Sequence, residues 1–219
     1  MTQSCSGTLD RTAVLHAARL VHGLVARPEV AAGWDRESSC AGMTVGGLAR
    51  HLVGQSVYVA SLLTADPALG ADAEVVGLLG HYDRAAWLHE DLDSDTNRFV
   101  REKSDAQAAE GYDAALALQA DAVERLPAAL ADPPGTTFVP WQGWRMPTDD
   151  FLVTRLMEMV VHADDLADSV GVPVPEFGDA VLTPVLGLLT ALAVGRHGQD
   201  AVVRALTRPQ RASGPIAAF

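Results

Sequence analysis

Cysteine is scarce in this chain. Cys5 and Cys40 are the only two in 219 residues, too few and too far apart for a disulfide framework or a cysteine-based metal motif. That scarcity points to a reducing, cytoplasmic setting. Lysine is rarer still: Lys103 stands alone against fifteen arginines, the way a high-GC genome encodes basic residues. Positive charge is outnumbered, 16 basic to 28 acidic side chains, for a net charge of −12. A surface of that sign repels phosphate backbones and anionic lipid, so neither nucleic acid nor a membrane is expected as a partner. The start, MTQSCSGTLD, lacks the basic-then-apolar plan of a secretory signal. No apolar run reaches the roughly 18 residues needed to span a bilayer. The most apolar stretch, AVLTPVLGLLTALAVG at 180–195, is expected to be a core helix. Internal repeats and low-complexity segments are also missing.

What is present is helical patterning. Leu9, Val14, Leu15, Ala18, Val21, Leu24 and Val25 recur at helical spacing across 8–27,. A second helix is expected over 43–64, with Thr44 as N-cap and a stripe of Val45, Leu48, Leu52, Val59 and Leu63,. An alanine-rich segment, 104–131, reads as one long helix interrupted near Pro127. The loop 132–150, DPPGTTFVPWQGWRMPTDD, has room for a short hairpin and leads into a helix over 148–170. That helix is expected to be capped by Thr148 or Asp149 and stopped near Gly171. Further helices follow at 178–195 and 198–208, and DLDSDTN at 91–97 reads as a polar connection. The fold class expected is all-α: a four-helix bundle with a long crossover after its second helix and an additional C-terminal helix. Residues 1–197 would form the bundle, with 198–219 a short helix and tail packed on the same domain.

The stretch LMEMVVHADDLADSVG (156–171) places Glu158 and His162 among core residues. A buried charge without a partner is costly. At about 100° per residue, positions i and i+4 differ by about 40° and share a face, so this carboxylate and imidazole can grip one divalent cation. His51, placed similarly on the second helix, is a candidate third ligand, with Gln55 and Tyr58 close enough in angle to line the same cleft. A His₂Glu set leaves zinc's fourth position open, the mark of a reactive site. The plainer alternative is an ordinary ion pair at the edge of the core. His16, His22, His81, His89 and His197 are assigned solvated or core-edge positions.

Two motifs sharpen this reading. TVGGLARHLVGQ, followed about a hundred residues later by FLVTRLMEMVVHADDLADSVG, resembles the DinB-like superfamily and, more narrowly, its mycothiol-dependent maleylpyruvate isomerase branch. His51, Leu52, Val53 and Gly54 match the first family motif. Arg155, Glu158, His162, Asp165, Leu166 and Ala167 match the second, although Asp164 stands where the family often has an aromatic residue. The resemblance implies a DinB-like bundle in which His51, Glu158 and His162 bind Zn²⁺ or another divalent metal, with mycothiol as thiol co-substrate.

Coordination of a thiol to such a cation holds it as the nucleophilic thiolate. Addition to an activated double bond followed by expulsion would make the protein an isomerase, and displacement at carbon a thiol transferase. Two alternatives stay open: a hydrolase using activated water, and a non-catalytic bundle. Asp165, one turn beyond His162, either hydrogen-bonds a ligand imidazole or bonds backbone or an arginine. Arg155 either pairs with Glu158 or grips a substrate carboxylate. Trp141 and Trp144 either wall the thiol pocket, alongside Gln55, or simply pack. Arg196, Arg204, Arg208 and Arg211 read as a solvated basic end or an attractor for an anionic substrate. The expected partners are a small electrophile and a low-molecular-weight thiol, with the chain a monomer or homodimer.

Overall fold

The computed structural model describes residues 7–85 and 94–219. Cys5, His89 and the first part of the 91–97 connection therefore lie outside the described residues. The chain is all-α apart from one hairpin. Four helices make the bundle: α1 (Thr12–Val25), α3 (Val45–Leu62), α6 (Tyr112–Ala131) and α7 (Thr148–Val170). Around the bundle, α3 packs on α6, α6 on α1, α1 on α7 and α7 on α3. Short α2 (Pro28–Gly33) joins α1 to α3, while α4 (Leu78–Asp83) and α5 (Asp95–Ala108) lie on the crossover from α3 to α6. Helix α8 (Asp179–His197) packs on α7, and α9 (Gln199–Thr207) packs on α8.

Most of the stripes read from α1 and α3 are buried, with Leu9 and Leu15 only partly so. Val14, Ala18 and Val21 meet Leu48, Leu52 and Val59, Leu126 and Ala129, and Leu156, Met159, Ala163 and Leu166 in one continuous core. Gln119 of α6 ties three of the helices from inside: its Nε2 donates to the Ala18 carbonyl at 2.8 Å and to Ser56 Oγ at 3.0 Å.

Thr44 caps α3 as expected, its hydroxyl accepting from Gly47 N at 2.9 Å. Asp105 of α5 in turn accepts from the Thr44 amide and hydroxyl, at 3.0 and 2.6 Å. The segment expected as one helix over 104–131 is two. The break falls at Gly111, whose φ of +95° no helix can hold,. Pro127 lies inside α6 without ending it, since proline's φ suits a helix and the loss is one backbone hydrogen bond.

Strands β1 (Thr136–Val139) and β2 (Trp144–Pro147) form the antiparallel hairpin, with Val139 opposite Trp144. Neither Thr148 nor Asp149 caps α7, because Pro147 holds the N-cap position. Their side chains bind other segments. Thr148 Oγ1 donates to the Pro134 carbonyl at 2.5 Å, and Asp149 accepts from Arg11 Nε at 2.8 Å and Gly7 N at 2.7 Å. Asp150 accepts from Leu78 N at 3.1 Å. These bonds fix the rotation of α7, and its far end stops at Gly171 with φ +69°. Helix α8 is less of a core helix than expected: Val181, Val185, Leu188 and Ala193 are buried, but Leu186 is 56% exposed. Among the described residues it is the one helix long and apolar enough to cross a membrane.

Candidate metal centre

The α3–α7 interface brings together residues 107 positions apart. His51 Nε2 lies 3.2 Å from Glu158 Oε2, and His162 Nε2 lies 3.2 Å from the same oxygen. The two imidazole rings stand edge to face, 86° apart with centroids at 4.8 Å. All three ligating atoms fall within 4.8 Å of one another. Tetrahedral zinc with arms of about 2.0–2.2 Å sets ligand atoms about 3.3–3.5 Å apart. The measured separations suit that cation, and the donor set of two imidazoles and one carboxylate is among those zinc takes. Each side chain keeps some access to solvent, at 22% for His51, 14% for Glu158 and 24% for His162.

The charges in the cluster are strongly coupled. Burial pushes the Glu158 carboxyl up, but hydrogen bonds from His162 and His51 and the Arg155 charge outweigh it and hold the group well below the usual range. Burial also opposes charge on His162. Bonds to Asp165, Cys40 and Glu158 overcome it, so this imidazole is raised well above its ordinary value. His51 goes the other way, lowered by burial and by the neighbouring charges of His162 and Arg155 against the pull of Glu158. Without a cation, then, a proton on His162 does the work of satisfying both carboxylates.

Asp165 stands behind His162, its Oδ2 2.9 Å from Nδ1. In the neutral ring, an Nδ1–H donating there leaves the Nε2 lone pair directed toward His51 and Glu158. Arg155 makes no ion pair with Glu158. Its Nη1 donates to Gln55 Oε1 at 2.5 Å and its Nε to Thr154 Oγ1 at 3.0 Å, while the guanidinium lies over the rings of Trp141 and Phe151 at 5.9 and 5.6 Å. Gln55, expected to meet the thiol, is turned inward at 1% exposure. Its Nε2 donates to the His51 carbonyl at 2.9 Å, so it links Arg155 to the helix turn that carries His51.

The two tryptophans part company. Trp141, half exposed, leans on Tyr58 at 4.7 Å and on Arg155. Trp144 faces His81 at 5.8 Å, and its indole N–H is buried without a partner. They do not form one wall. Arg204 pairs with Asp200 at 2.9 Å on exposed α9, and Arg196, Arg208 and Arg211 are exposed, in keeping with a solvated basic end.

Two residues were missed by sequence reasoning. His81 is neither solvated nor at the core edge. It is 4% exposed, its Nδ1 has no partner, and burial lowers its pKa to about 4, helped by the Arg155 charge. Cys40 sits with His162 and Asp165, the ligating atoms of the three within 4.8 Å of one another. Nothing in the spacing of 40 and 162 could have signalled that. A surface cavity of about 580 Å³, lined by Val160, Val161, Asp164 and Leu182 among others, contains none of the cluster.

Compared with known families, the chain matches the mycothiol maleylpyruvate isomerase N-terminal domain over residues 14–167, a span that includes every residue of the cluster. No curated protein and no solved structure is matched.

Proposed function

The chain belongs to the mycothiol maleylpyruvate isomerase N-terminal domain family, and from that premise we propose that it is a zinc-dependent thiol-using enzyme. Its co-substrate would be mycothiol or a close low-molecular-weight thiol, added to an electrophilic small molecule or exchanged at its carbon. The observation that carries the reading is the convergence of His51 Nε2 and His162 Nε2 on one oxygen of Glu158 at 3.2 Å each.

A divalent cation held there supplies the Lewis acidity that keeps a thiol sulfur as thiolate at neutral pH. His51, His162 and Glu158 would hold the ion with one negative charge among them, half of what a divalent cation carries, and the positive charge left over would favour an anionic sulfur beside it. Asp165 accepts from His162 Nδ1–H and so orients the imidazole and raises its basicity,. Arg155 is held by Gln55 and Thr154 beside the cluster. With Trp141 over one face it is placed to receive a carboxylate or enolate on the electrophile. At this centre Asp165 and Arg155 are therefore positioning and substrate-side residues.

The test is reconstitution with Zn²⁺ and an activity screen over electrophiles, with and without mycothiol. Turnover that needs both metal and thiol, and that His51→Ala abolishes, is the expected result. Turnover with metal but no thiol would replace this reading with a hydrolase, and turnover indifferent to His51→Ala would refute it.

A further inference from the structure

Three side chains beside the proposed centre form a second ligand set. The loop between α2 and α3 is pinned to α7 by Ser39, whose Oγ donates to the Asp165 carbonyl at 2.7 Å and whose amide donates to Ser169 Oγ at 2.9 Å. Ser38 closes the same loop, its Oγ donating to the Met43 carbonyl at 2.8 Å and accepting from Cys40 N at 3.2 Å. This tethering sets the half-buried Cys40 thiol against His162 and Asp165, the three ligating atoms within 4.8 Å of one another. His162 belongs to both sets. Its Nε2 faces Glu158 at 3.2 Å, and its Nδ1 faces Asp165 at 2.9 Å.

We propose that Cys40, His162 and Asp165 form an inhibitory site for a thiophilic divalent cation, mutually exclusive with the His51–Glu158–His162 site. The exclusion rests on the function proposed above. The donor chemistry separates the two. A thiolate, a carboxylate and an imidazole bring two negative charges and a soft sulfur, which neutralise a divalent cation fully and favour thiophilic ions such as Cd²⁺. The first set has no sulfur and leaves a positive charge over. On binding, the Cys40 thiol proton and the His162 Nδ1 proton would pass to solvent as the sulfur–metal and nitrogen–metal bonds form.

Exclusion follows from the imidazole. A neutral ring carries one N–H and one lone pair. With Nδ1–H donated to Asp165, the lone pair is on Nε2 and the first site is competent. With a cation on Nδ1, the ring's one N–H is on Nε2, where it donates to Glu158 and removes a ligand from the first site. Asp165 is the pivot, either accepting the Nδ1–H or ligating.

The experiment uses the full chain in a Cys5→Ser background, so that Cys40 is the only thiol, with Cd²⁺ alone as probe. Sulfur-to-cadmium charge-transfer absorption reports thiolate ligation, and competition with a chromophoric chelator gives stoichiometry. The expected results are a band in the His51→Ala protein, loss of the band in the Cys40→Ser protein, and one ion per chain in the parent. No band with His51→Ala, or a band that survives Cys40→Ser, overturns the site. Two ions per chain in the parent overturns the exclusion. A Cys40→Ser protein that binds neither Cd²⁺ nor Zn²⁺ would instead sink the His51–Glu158–His162 reading, while a band with His51→Ala would still support the second site.

Discussion

Replacing Asp165 by Asn tests whether that carboxylate acts on the proposed metal through His162. The amide keeps an acceptor oxygen near Nδ1 but loses the charge, so the 2.9 Å bond to His162 weakens without a cavity being opened. Losing such a partner to a ligand imidazole costs about 10–100-fold in metal affinity. Asp165 keeps 29% exposure, and water screens part of the interaction. The lower part of that range is therefore expected, about 10–30-fold, or about 1.4–2 kcal/mol. The pH dependence makes the test specific. His162 is raised well above its ordinary value, with the Asp165 bond the first of the contacts that overcome burial. As pH falls through that raised value, the wild-type imidazole takes up a proton that zinc must displace. In Asp165→Asn the competing proton binds more weakly, so competition starts at lower pH. The affinity ratio of wild type to variant should be largest at high pH and shrink as pH falls. Zinc titration against a chromophoric chelator across the pH range measures both. A loss of equal size at every pH would mark Asp165 as only a scaffold for the Ser39 loop, and no loss at all would refute the coupling.

Three further outcomes follow from the packing. Acid should destabilise the protein through His81, whose pKa falls to about 4 in the folded state from an ordinary 6.5. Because the unfolded chain binds that proton first, this stabilisation is complete above 6.5 and is lost as pH falls toward about 4. The difference amounts to about 3 kcal/mol, and chemical denaturation at stepped pH should show it shrinking in His81→Phe. Gly46→Ala would place a Cβ 2.6 Å from the Trp34 ring. That ring is anchored by its N–H to the Ala108 carbonyl at 3.1 Å, so a loss of about 1–3 kcal/mol in denaturant unfolding is expected; unchanged stability would mean the ring moves freely. Gln55→Ala should cost about 1.5–3 kcal/mol, since it strips a charged donor of its acceptor at a buried position,. It should also raise KM for an anionic electrophile more than it lowers kcat, and equal effects on both would deny Arg155 a part in substrate binding.

The bundle was legible because burial follows period. The stripes of α1, α3 and α7 land in the core where the spacing of Val14, Leu52 and Leu156 puts them. The family resemblance carried by HLVG and RLMEMVVHADDLA is borne out by the match over residues 14–167. A helix fixes that Glu158 and His162 share a face, whereas the set that joins them to His51 on another helix came from the resemblance those motifs carry. Errors arose where local signals compete. Pro127 reads as a breaker, yet it is Gly111 that breaks the helix, because a positive φ is incompatible with helix whereas proline's φ is not,. Asp149 has the chemistry of an N-cap but spends it on Arg11. Cys40 and His81 were illegible for another reason. Their roles depend on where a loop and a crossover helix settle, and that is decided by long-range bonds such as Ser39 to Asp165 and Leu78 to Asp150.

The distribution of the candidate ligands argues for a reactive centre over a structural one. A structural zinc site contributes folding energy that the chain cannot supply by itself. Here the core that carries α3 and α7 is continuous on its own account, from Val14 through Leu52 and Leu126 to Leu166. The ligands sit at the edge of that core with residual exposure. Their burial is already offset by mutual hydrogen bonds, with Glu158 between two imidazoles and His162 between two carboxylates. A cation bound at such a site would take the place of a proton on His162 and would not assemble the fold. The added stability then follows mass action, growing with the ratio of free metal to Kd. Chelation should lower Tm by that increment and leave helical circular dichroism intact. Unfolding on chelation would instead mean that the α3–α7 interface depends on the ion, and the centre would have to be read as structural.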